Sequence, residues 1–151
     1  MPKRTFLIGA VLMAMSFSLT GCWWAGTKAG GVVDGKLAPC PDSPNCVSTQ
    51  AAADDSYHRM DPISFTGSPA DTQAVIMAAI ESLPRTKVIT ADPTYVHAEV
   101  RSALWRFVDD MEFYIDAEAG LIQFRSASRL GYGDMGVNRK HMEELTAKIQ
   151  K

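Results

Sequence analysis

Between residues 95 and 139 the chain alternates apolar and polar side chains with the two-residue period of half-buried strands. Val96, Ala98 and Val100 fall on one side, and Tyr95, His97, Glu99 and Arg101 on the other. Met111, Phe113 and Ile115 then oppose Glu112, Tyr114 and Asp116; Ile122, Phe124 and Ser126 oppose Gln123, Arg125 and Ala127. Residues 117–120 read as a turn. Trp105 and Phe107 shift the apolar phase by one, which predicts a bulge or bend near residues 102–104 and places both rings in the core.

Upstream the period changes from two to that of a helix. Ser68, Pro69 and Asp71 make a helix start, with a capping hydroxyl, a proline at the first helical position and an acid three residues after the cap. Val75, Ile76, Ala79, Ile80 and Leu83 continue at helical spacing until Pro84 stops it. Ile63 and Phe65 suit a short edge strand, and residues 87–90 a β-branched one. A last helix over about residues 138–149 carries Met142, Leu145 and Ile149 on one side. The order β-α-β-β-β-β-α predicts an α+β fold, a two-layer sandwich in which helices cover one face of an antiparallel sheet of about four to five strands.

Composition narrows the classes. A chain of 151 residues, 46% hydrophobic and 21% charged, with formal charge −2, suits one domain plus an N-terminal appendage. Without a basic excess it is not read as a nucleic-acid binder. The sequence offers no nucleophile elbow, P-loop or metal-binding His pair, so no catalytic residue, metal or cofactor is assigned.

The N-terminus reads as an address. Lys3 and Arg4 precede an uncharged run over residues 6–19, too short to span a bilayer comfortably. Leu19-Thr20-Gly21-Cys22 follows and resembles the lipobox of bacterial lipoproteins. That resemblance implies a signal peptide over residues 1–21 and acylation of Cys22, the chain's contact with a membrane, with the domain facing the periplasm of the cell envelope. Trp23 after the cysteine, where an aspartate would imply the inner membrane, favours the outer one. Removing Lys3 and Arg4 takes the formal charge from −2 to −4, so lipid rather than charge would do the holding. Residues 22–36 are Gly-rich and read as a flexible tether to a single domain over 37–151. With Cys22 acylated two cysteines remain, and an even pair in an oxidising compartment reads as a Cys40–Cys46 disulfide contributing about 2 kcal/mol. A redox-active pair and a Cys40/Cys46/His58 metal site are the rivals.

Two segments together, PCPDSPNCVS over residues 39–48 and the run from Tyr95 through FVDDMEFYID and RSASRLGYGDMGVNR, resemble the bacterial and plastid family catalogued as domain of unknown function 1499. The likeness covers nearly all of residues 37–150. It implies one domain and an envelope location, and supplies no catalytic residues.

Three readings of the polar face follow. Glu99, Arg101, Glu112 and Arg125 fall on one side of adjacent strands, where opposite charges pair as a solvated ladder. Arg125, Arg129 and Arg139 flank the loop carrying Gly131, Gly133 and Gly136 beside a helix start, which suits a carboxylate or phosphate; the partner would be an envelope protein or a small anionic ligand. The G-x-G-x-x-G spacing itself is weak for a dinucleotide, because no β-α-β unit follows. The third reading is an enzyme acting on an anionic envelope metabolite with Asp110 or Glu112 as acid/base. A binding or interaction module is preferred over it.

Overall fold

The computed structural model describes residues 29–151; Cys22 and the leader lie outside the described residues. Eight elements follow in order: β1 Cys46–Ser48, β2 Ile63–Ser64, α1 Pro69–Glu81, β3 Thr86–Asp92, β4 Tyr95–Arg101, β5 Val108–Asp116, β6 Leu121–Ser128 and α2 Val137–Ile149. The strands form one six-stranded antiparallel sheet in the order β1-β6-β5-β4-β3, with β2 also on β6. The fold is mixed α+β, with both helices packed against the sheet.

The alternation explains the layers. Val96, Ala98 and Val100 of β4, Met111, Phe113 and Ile115 of β5, and Ile122 and Phe124 of β6 are buried in one cluster with Ile76, Ala79 and Ile80 of α1 and Met142 and Leu145 of α2. Each such side chain contributes on the order of 1.5–3 kcal/mol through water removed from its surface. Phe113 and Phe124 are register partners at the centre of the sheet, their rings 6.3 Å apart. The start of α1 follows its sequence: the Ser68 hydroxyl accepts from the Asp71 amide at 3.1 Å and donates to the Asp71 carboxylate at 2.7 Å, with Pro69 at the helix start.

Two expectations are corrected. Residues 102–107 are neither bulge nor bend: β4 ends at Arg101, β5 begins at Val108, and the segment between them is an open hairpin loop. It is closed by Ser102 N–H donating to the Phe107 carbonyl at 2.9 Å and by the Phe107 amide donating to the Ser102 hydroxyl at 2.9 Å. Trp105 is therefore 73% exposed and Phe107 50%, outside the core that their apolarity predicts. The one register shift between neighbouring strands lies instead in β3, between Val88 and Thr90.

Cys40 and Cys46 are joined in a disulfide, which removes both sulfurs from the metal alternative. His58 Nδ1 lies 2.7 Å from Asp55 Oδ2, and its Nε2 lies 3.3 Å from the Ser43 carbonyl, so the ring braces a loop. Hydrogen bonds with His58 hold the Asp55 carboxyl below its ordinary range.

Candidate functional site

The face of the sheet turned away from the helices carries the ionisable groups. Register places Glu99 opposite Asp110, His97 opposite Glu112, and Glu112 opposite Arg125. They fall into two clusters. In the first, Arg129, just beyond the end of β6, reaches back along the sheet. Its Nε donates to Asp110 Oδ2 and its Nη2 to Oδ1, both at 2.7 Å, and the same Nη2 lies 2.5 Å from Glu99 Oε1. Arg101 Nη2 donates to Glu99 Oε2 at 3.0 Å, and His97 Nε2 lies 2.7 Å from Asp110 Oδ1.

These contacts set the charge states. Burial alone would push the Asp110 carboxyl up, but hydrogen bonds from His97 and Arg129 outweigh it and hold the group down at about 2. Burial opposes ionisation of Glu99 as well; Arg129 and then Arg101 overcome it and keep the carboxyl below its usual range. The Asp110 carboxylate in turn raises Arg129 above the ordinary guanidinium value, against the effect of burial.

The second cluster is sealed. Glu112 and Arg125 are both fully buried, with Arg125 Nη1 donating to Glu112 Oε2 at 3.1 Å. The other carboxylate oxygen accepts the Tyr95 hydroxyl at 2.8 Å and the backbone amides of Gly30 and Gly31 at 3.1 Å each. Burial, and then the hydrogen bond to Glu112, push the Tyr95 phenol well above its ordinary value. The stretch expected to be a tether thus reaches the sheet: two of its amides cap a buried carboxylate, and Val33 and Lys36 pair with each other.

The expected solvated ladder is corrected on this point. Glu99, Arg101, Glu112 and Arg125 do share a face and do pair, but the Glu112–Arg125 pair is desolvated. Desolvation makes such a pair costly to break and of little net value when intact. The acid/base reading loses its footing as well. A carboxyl held at about 2, as Asp110 is, is a feeble base near neutral pH, and Glu112 is closed to solvent with its oxygens engaged.

The glycine loop does not draw Arg125, Arg129 and Arg139 together. Arg125 pairs with Glu112 and Arg129 with Asp110 and Glu99, whereas Arg139 Nη2 donates to the backbone carbonyls of Tyr57 at 2.7 Å and Arg59 at 3.3 Å. The start of α2 already has an anion. Asp134 accepts from the Gly136 amide at 2.9 Å and from the Asn138 amide at 2.8 Å, so its carboxylate occupies the place envisaged for a ligand. Gly131 and Gly136 have φ of 94° and 77°, the left-handed region that glycine enters without strain, and so turn the chain from β6 into α2.

The group that the sequence does not single out is a pair of asparagines. Asn138 is fully buried. Its amide nitrogen donates to the Asn45 carbonyl at 3.1 Å, to Ser128 Oγ at 2.9 Å and to Asp134 Oδ2 at 2.8 Å, while its oxygen accepts from Ser126 Oγ at 2.5 Å. Asn45 in turn donates to the Gly131 carbonyl at 2.6 Å. The loop closed by the disulfide is thereby tied to the glycine loop and to the end of β6. Every polar atom of the Asn138 side chain is used, as a buried amide requires.

Residues 36–149 match the family described as Protein of unknown function (DUF1499). The chain belongs to that family. No curated protein matches it. The matched DUF1499 span holds both ion clusters and the asparagine brace, so the two segments most suggestive of the family, around Asn45 and around Asn138, meet in one structural network. Among the described residues no group of three or more His, Cys, Asp or Glu side chains is arranged to hold a metal ion. A cleft beside residues 30–40 is lined by Val33, Pro39 and Gln50, with Lys36 and Asp55 as its ionisable residues, and Asp55 is turned to His58.

Proposed function

We propose that this DUF1499 protein is a lipid-anchored component of the bacterial envelope that binds rather than catalyses. It is tethered through Cys22 and faces the periplasm, with the outer membrane favoured over the inner by Trp23. Its contact surface is the end of the sheet where the 102–107 and 129–136 loops emerge. The observation that carries this reading is a division of labour between two regions. The acids and bases of the polar face are engaged by one another, while Leu104, Trp105, Phe107, Leu130 and Met135 stand exposed at the loops. Large apolar side chains gathered at one end of a domain are what a contact surface requires.

Two experiments test it. Cys22→Ser should abolish acyl labelling of the chain in cells and move it out of the membrane fraction; a labelled or membrane-bound variant would refute the anchor. Leu104→Ser with Trp105→Ser should abolish association with envelope material in mild detergent while circular dichroism stays unchanged. A variant that unfolds would assign those side chains to structure, and one that still associates would move the contact elsewhere.

A further inference from the structure

Three loops meet at this end of the sheet, and hydrogen bonds lock them together. The Arg101 amide donates to the Arg85 carbonyl at 3.1 Å, and Arg85 Nε returns a bond to the Arg101 carbonyl at 3.0 Å. The Arg129 amide donates to the Val108 carbonyl at 3.0 Å. The turn before β3, the β4–β5 hairpin and the start of the glycine loop therefore share one side of the molecule. Trp105 and Met135 project there, Met135 wholly exposed.

The charge left exposed at this end without an acid partner is positive. Arg85 and Arg106 are exposed, while the side chain of Arg101, 41% exposed, pairs with Glu99. The neighbouring acids are engaged: Glu99 and Asp110 are paired with Arg129, Asp109 is buried, and Asp134 accepts from the Gly136 and Asn138 amides. A negatively charged surface would find the guanidinium groups of Arg85 and Arg106 uncompensated here. Tryptophan and phenylalanine beside arginine form the side-chain set that settles at a lipid headgroup layer, rings at the acyl boundary and guanidinium groups on phosphate.

The leash has the length for it. Seven residues lie between Cys22 and Gly30, so the eight steps from one to the other span at most about 29 Å, and Gly30 is fastened to Glu112 at 3.1 Å. Glu112 lies four residues from the Val108 end of β5, about 14 Å along the strand. A domain of this size is roughly 35 Å across. Its loop end can therefore touch the membrane that holds the acyl chains, and so short a leash gives that second contact a high effective concentration.

We infer that the loop end of the domain lies on anionic phospholipid headgroups, with Trp105 and Phe107 at the acyl boundary and Arg85 and Arg106 on the phosphates. The inference rests on the anchor reading for its geometry and names the partner of that surface: the bilayer itself.

The test uses the full acylated chain carrying Trp23→Phe and Trp24→Phe, which leaves Trp105 as its one tryptophan. It is reconstituted into vesicles of phosphatidylethanolamine and phosphatidylglycerol, or of phosphatidylcholine alone, with brominated acyl chains as quencher. Trp105 emission should shift to the blue and be quenched in the anionic vesicles and much less in the neutral ones. High salt should reverse the effect. Arg85→Gln with Arg106→Gln should weaken the quenched state on the order of tenfold, with unchanged circular dichroism. Emission that stays that of a water-exposed indole in anionic vesicles would overturn the inference, and is the result expected if the loop end meets a protein. Mass analysis of the N-terminal peptide separates the two readings. Acylated but unquenched protein defeats the lipid contact and keeps the anchor; unacylated but quenched protein keeps the contact and defeats the anchor.

Discussion

The polar face and the loop end lie on the same strands and have opposite economies. On the face, charged groups are dense and inward: Arg125, Glu112 and Asp110 are fully buried, the first two paired with each other and Asp110 with Arg129. At the loop end charge is sparser, the large side chains are apolar, and they meet water. The first arrangement makes a stable interior from residues that look catalytic in a linear sequence. The second leaves apolar surface uncovered, although the chain has the charged residues to cover it. A cluster of Arg, Asp and Glu is thus satisfied within the fold here, and the exposed Trp-Arg-Phe triplet is the surface on which the proposed contact rests.

If that contrast is sound, substitutions on the face should cost stability and those at the loop end should not. The largest effect is expected at Arg125. Arg125→Met strands the Glu112 carboxylate in the interior and should cost about 3–5 kcal/mol in urea unfolding. Adding Glu112→Leu should recover part of it, because the uncompensated charge is then gone. Asn138→Ala comes next. It leaves the Ser126 hydroxyl without its partner in the interior and the Asn45 carbonyl with the Ser128 amide alone, for about 1–3 kcal/mol by the same measurement.

A third prediction concerns acid. Asp110 sits at about 2 in the fold against an ordinary 3.8. A carboxyl with a depressed folded value gives its full contribution above the unfolded value and loses it as pH falls towards the folded one. Unfolding free energies from urea melts should therefore decline between about pH 4 and pH 2 by roughly 2 kcal/mol from this group. Arg129→Gln should flatten that part of the profile as well as lowering stability at neutral pH; an unchanged acid limb would show that Arg129 does not set the charge of Asp110. The smallest effect belongs to the loop end, where Leu104→Ser and Trp105→Ser should each change stability by no more than about 0.5 kcal/mol. A larger loss at Trp105 would erase the distinction between the two regions.

Much of the fold was legible because an antiparallel sheet with helices on one side writes its layers as a period of two. The alternation puts Glu112 and Arg125 on one face, and the register then sets them directly opposite on neighbouring strands. That the pair is sealed could not be read locally, since the capping amides of Gly30 and Gly31 come from 82 and 81 residues away. Trp105 and Phe107 imitate the spacing of a strand, and apolarity alone does not distinguish a buried side chain from an exposed one. Asn138 gave no signal, because an asparagine in the first turn of a helix is ordinary until its buried partners are seen. The three arginines beside the glycine loop were close in sequence, but strand direction and a helix start send them to different neighbours.

The asparagine brace has a consequence in time. Asn45 and Asn138 are separated by 93 residues, and β1, which follows Asn45, takes its place in the sheet against β6. At roughly 5–20 residues made per second, Asn45 waits on the order of 5–20 s for its partner to exist. Until then β1 has the 58–60 segment beside it and, once made, β6, while the Asn45 brace stays open. A chain cut short before Asn138 should leave the brace around β1 unfinished, and α2, far along the chain, decides when that strand is locked.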